Sequence, residues 1–111
     1  MKTKKKPTTS GPVMHRQGDV LFVKVEALPD DVILHKSDVI VEGEVTGHAH
    51  RLSQGRILEA TEGRLFLEIL DTSKESEVVH EEHHPVKLEP GYWEVVRQRE
   101  YSPEAVRMVI D

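Results

Sequence analysis

The sequence predicts an all-β domain, a small antiparallel β-barrel or sandwich, on three observations. Short runs rich in Val, Ile, Leu and Phe recur along the chain, separated by Gly, Pro and Asp. No segment sustains the 3.6-residue hydrophobic period of a helix. The 111 residues, 37% of them hydrophobic, suffice for one modest core and not for two.

Residues 1–12 (MKTKKKPTTSGP) carry almost no apolar side chains and read as a disordered basic leader. A single domain then spans 13–111. Asp19 to Val25 is the first strand, with β-branched and aromatic residues in sequence, and Leu28-Pro29-Asp30-Asp31 breaks it. Residues 31–36 read as no more than one helical turn. Asp38 to Glu42 is a strand ended by Gly43, and Glu44 to Leu52 is the next. Arg56 to Ala60 leads into a Glu62-Gly63 turn. Arg64 to Leu70 has apolar residues at both parities, which predicts a strand buried on both faces. A polar loop covers 71–76. Glu77 to Glu82 is a strand stopped ahead of Pro85. Tyr92 to Arg99 follows the Glu89-Pro90-Gly91 turn, and Ala105 to Ile110 is a last strand.

Composition excludes several functions. There are no cysteines, so disulfides and thiolate metal sites are ruled out, and a reducing cytoplasm is the expected compartment. No apolar run is long enough for a transmembrane helix, and no apolar stretch follows the lysines to make a signal peptide. Four of the 15 basic residues lie in the first six positions, leaving 11 against 20 acidic ones in the body. So acidic a body is unsuited to nucleic acid. Exposed edges in a small sheet make a homodimer the expected assembly.

Five of the seven histidines fall in two clusters, His48-Ala49-His50 and His80-Glu81-Glu82-His83-His84. On an extended strand His48 and His50 share a face with Glu44 and Leu52, which turns that face inward. His80 is the natural third ligand. A regular strand cannot aim both His80 and His83 at one ion, but a bulge or turn ahead of Pro85 can, so His83 and His84 compete for a fourth place. Glu81 or Glu82 is then a ligand, a partner of a ligand or a general base, and Glu44 is a further proton acceptor. Three imidazoles with an open position describe a catalytic Zn2+ site, and added carboxylate ligation favours Fe2+ or Mn2+. His80-Glu81-Glu82-His83-His84 also satisfies H-E-x-x-H literally, but that motif needs a helix, which Val78-Val79 and Pro85 disfavour.

Gly43-Glu44-Val45-Thr46-Gly47-His48-Ala49-His50 and the Leu88-Glu89-Pro90-Gly91 turn together resemble the cupin superfamily over residues 43–94. The resemblance implies a small β-barrel with a metal held by the H-x-H pair, here His48 and His50, with the third histidine passing to His80 by analogy. It also admits dioxygenase or isomerase chemistry. The arrangement of an H-x-H pair plus a distant histidine is similar to the zinc site of the alpha-type carbonic anhydrases, which implies hydration or lyase chemistry.

Trp93, Val95, Arg97, Arg99 and Tyr101 alternate onto one face of their strand. Trp93 and Val95 belong to the core. Arg97, Arg99 and Tyr101 reach the end of the barrel, where they can hold an anionic small-molecule substrate, and Arg16 or Gln17 can reach the same mouth. The expectation is a small metalloenzyme, a lyase or hydrolase. The alternatives are a non-catalytic metal-dependent module and a cupin-type dioxygenase or isomerase.

Overall fold

A computed structural model of the chain describes residues 13–42, 47–70 and 75–98. Among these the chain forms ten strands: β1 (Met14–Gln17), β2 (Val20–Val25), β3 (Ile33–His35), β4 (Val39–Glu42), β5 (Ala49–Leu52), β6 (Arg56–Glu59), β7 (Leu65–Ile69), β8 (Ser76–Val79), β9 (Val86–Leu88) and β10 (Gly91–Arg97). They make two antiparallel sheets, one of six strands in the order β1-β2-β10-β7-β6-β3 and one of four in the order β4-β5-β8-β9. The fold is therefore all-β. Of the two forms expected it is the sandwich, not a closed barrel, because neither sheet continues into the other.

Period-two burial explains the packing. Val20 and Phe22 of β2, Ile57 of β6, Leu67 and Ile69 of β7, and Trp93 of β10 face inward from the large sheet. Ile40, Leu52, Val78 and Leu88 meet them from the small one. The opposite parity of the large sheet is also covered: Val25, Leu58 and Phe66 pack under Leu28 and Val32 of the β2–β3 connection. This is why β7 is apolar at both parities, as its sequence predicts, except that Leu70 lies just past the strand and is exposed.

Residues 31–36, read as a helical turn, instead contain β3. Its partner β6 supplies the ladder, with Leu34 opposite Leu58, and pairing overrides the weak local signal. Of the expected strand Glu44–Leu52, Ala49–Leu52 is strand and residues 47–48 are not, and the expected Glu77–Glu82 ends at Val79. The basic leader, the start of the expected H-x-H strand at 44–46, most of the polar loop and the expected last strand at 105–110 lie outside the described residues. No helix among the described residues is long and apolar enough to cross a membrane.

Two local features position the site. Gly18, at φ +62°, turns β1 into β2, and Gln17 stands opposite Val20 on the inner face. Arg97 of β10 is Val20's partner on the other side, so Gln17, Val20 and Arg97 form one row across the sheet. In the small sheet the pairing of β4 with β5 slips by one residue between Val39 and Val41, leaving Ile40 as a bulge and Val41 opposite His50.

Candidate metal centre

The two histidine clusters meet. His50 lies on the inner face of β5, next to the buried Leu52 in the same parity, and is 4% exposed. His80 follows directly on β8, and bends at Glu81–His83 carry the chain to Pro85. The His80 ring stands 4.5 Å from that of His50, 4.6 Å from His83 and 5.7 Å from His48, centroid to centroid. His83 stacks on His50 at 6.1 Å with only 11° between the planes.

Because residues 81–83 bend, His80 and His83 reach the same place, which a regular strand forbids. His84 does not join the rings. It contributes its backbone carbonyl, which accepts from Gln17 Nε2 at 2.9 Å. The histidine clusters therefore bring together His48, His50, His80 and His83.

Gln17 sets the proton on His50. Its Nε2 donates to the carbonyls of Val78 and His84, both at 2.9 Å, so the amide oxygen must face the other way. That oxygen is 2.8 Å from His50 Nδ1, which therefore carries the hydrogen and donates. His50 Nε2 is left with its lone pair. The imidazole is held neutral as well: burial, with the neighbouring His80 and His83, lowers its pKa to about 4. Asp19 works weakly in the opposite sense.

Among the described residues, His48, His80 and Glu81 bring one ligand atom each within 4.8 Å of one another. His48 Nδ1 is buried and has no hydrogen-bond partner, and Glu82 Oε2 is 3.8 Å away, beyond bonding reach. Glu81 is fixed by its Oε1, which accepts from the Ala49 amide at 2.9 Å. That bond, and one from its own amide, hold the Glu81 carboxyl below the usual carboxylate range. His80 Nδ1 accepts from the Glu82 amide at 3.0 Å.

Arg97 lies at the edge of this group, within electrostatic reach of His50, and its Nη1 donates to Asp19 Oδ2 at 3.4 Å. Arg16 points elsewhere, to Gln98. Glu44, Arg99 and Tyr101 lie outside the described residues. Gly18 carries a role that no sequence motif announces. A Cβ there would come within 2.8 Å of His83 Nε2, so the imidazole rests against bare backbone. The isolated histidines stay apart: His15 pairs with Glu89 at 3.0 Å and His35 faces Glu59.

No curated protein and no solved structure matches the chain. Residues 16–98, which include every group of this centre, match the model of a family described as a domain of unknown function, DUF8820, and the chain belongs to that family.

Proposed function

We propose that this domain holds one divalent metal ion through His48, His80 and Glu81 and uses it to activate water or a small substrate. The observation that carries the reading is the convergence of those three donors within 4.8 Å, with the buried His48 Nδ1 otherwise unpartnered. Two imidazoles and one carboxylate serve catalytic zinc with one open position, and the same donors serve non-haem iron with several. Zn2+ is the first candidate, and Fe2+ or Mn2+ are the alternatives. A bound ion of this kind acts as a Lewis acid on water or on a substrate oxygen. Hydration, lyase and hydrolytic reactions fit zinc, and cupin-like dioxygenation fits iron. Glu82, 3.8 Å from His48, is a further carboxylate placed to accept a proton.

A second reading is favoured by the rings of His50 and His83 beside His80. If either takes a fourth position, the site closes and becomes a structural staple. Gln17 supports this, because it leaves the His50 Nε2 lone pair available.

Elemental analysis of the purified full chain beside His48→Ala, His80→Ala and Glu81→Gln tests the proposal. The wild type is expected to carry one equivalent of metal, and each variant to lose about tenfold or more in affinity. Absence of stoichiometric metal after reconstitution, or its retention in all three variants, overturns it. Whichever nitrogen of His80 binds, its Nδ1 stops accepting from the Glu82 amide, so that amide resonance must move on loading. Chelation separates the two readings: an open site leaves the domain folded, and a closed staple takes the fold with it.

A further inference from the structure

A cavity of about 290 Å3 lies between the sheets, lined by Ile40, Val41, Gly63, Leu65, Val95 and Arg97. It adjoins the histidine centre. Val41 is the cross-strand partner of His50, and side chains directly opposite each other project from the same face. Arg97 lies in the same row as Gln17, the residue that orients His50.

The lining has a simple chemistry. Among the described residues, four aliphatic side chains, the Gly63 backbone and one charged group, Arg97, line it, and polar atoms make up more of the exposed lining than apolar ones. Arg97 spends one nitrogen on Asp19 in a partly exposed pair, which is a weak tie. A guanidinium has five N–H donors in a planar fork suited to a carboxylate. Asp19 beside it disfavours a dianion such as phosphate, for whose second charge the described residues of the lining hold no second cation. The volume is at the small end for ligand pockets.

We infer that this cavity binds a small monocarboxylate with a branched aliphatic body, its carboxylate on Arg97 and its chain among Ile40, Val41, Leu65 and Val95. As the substrate class of a metal centre, this rests on the function proposed above; as a binding site, it stands by itself.

Methyl-resolved NMR of the full chain, metal-loaded and chelator-treated, tests it with isovalerate as the probe and isoamyl alcohol as its uncharged match. Isovalerate is expected to give saturable shifts at the methyls of Ile40, Val41, Leu65 and Val95 in both forms. The alcohol should bind about tenfold more weakly, and Arg97→Gln should lose about tenfold for isovalerate and nothing for the alcohol. Leu65→Phe, which fills the space, should abolish the shifts with the rest of the spectrum retained. The inference is overturned if isovalerate gives no saturable shifts, if they map elsewhere, or if Arg97→Gln binds it as wild type does. It is equally overturned if only the metal-loaded form binds, since the carboxylate would then be ligating the ion. Metal content is measured on the same samples. Isovalerate binding by a protein that takes up no metal on loading leaves the cavity standing and fells the metal reading, and metal uptake without isovalerate binding does the reverse.

Discussion

Gln17 and His50 face each other across the two sheets, oxygen to Nδ1 at 2.8 Å, with Gln17 only 2% exposed. The amide's other end is spent on the carbonyls of Val78 and His84. One side chain therefore ties the end of β1 to the β8–β9 connection and to the His50 ring beside His80. Removing it takes a donor from each of two carbonyls and the acceptor from the His50 N–H.

Gln17→Leu is expected to cost about 1–3 kcal/mol, because a buried polar group left unpaired carries its full desolvation penalty. Gln17→Glu is more telling. A carboxylate has no hydrogen for the Val78 and His84 carbonyls, so its pKa in the folded state must rise. The stability of that variant should fall as pH rises through the raised pKa and recover on acidification. Urea midpoints against pH measure both, and a pH-independent Gln17→Glu would contradict the bonding described.

Gly18→Ala places a side chain at φ +62° and against the His83 ring. The backbone conformation alone costs about 1 kcal/mol for a residue with a Cβ. The ring must also shift, so its imidazole resonances should move while those of β6, on the far side of the large sheet, do not. Unmoved His83 signals would mean that the ring does not rest on Gly18.

Glu94 lies buried on β10, with Arg64 Nε 3.3 Å from its Oε2 and its Oε1 unpartnered. Burial pushes its carboxyl up, against the smaller pull of Arg64. The folded protein thus holds this proton more tightly than the unfolded chain. Its contribution to stability is greatest in acid and is lost as pH rises from the ordinary carboxylate value through the raised one. Glu94→Gln should remove that slope, raising the urea midpoint near neutral pH and matching wild type in acid. An unchanged slope would locate the pH dependence elsewhere.

The strands that were legible in the sequence are those whose own residues decide the matter. Val20–Val25 and Leu65–Ile69 bury both parities, and any reading of hydrophobicity finds them. Ile33–His35 was not legible: it is a three-residue edge strand with Ile33 and Leu34 exposed, and among the described strands it pairs with β6. The meeting of the two histidine clusters could be read from composition and alternation. The choice of His83 over His84 could not, because it depends on bends at Glu81–His83 that have no signature beyond the proline after them. Gln17 reaches partners 61 and 67 residues away, a link between distant parts of the chain that no local pattern records.

The bulge at Ile40 has a consequence for how such a domain can change. One residue more on β4 than on β5 brings both Ile40 and Val41 to the cavity wall. The room beside His50 is thus bounded by a residue count as much as by side-chain identity. Deleting Ile40 would close the bulge with Val39 still opposite Arg51 and Val41 still opposite His50, and would take one apolar side chain out of the wall. Relatives of this domain can therefore differ in what they admit beside the same histidines through a single-codon insertion or loss in one edge strand, with every residue of the centre unchanged.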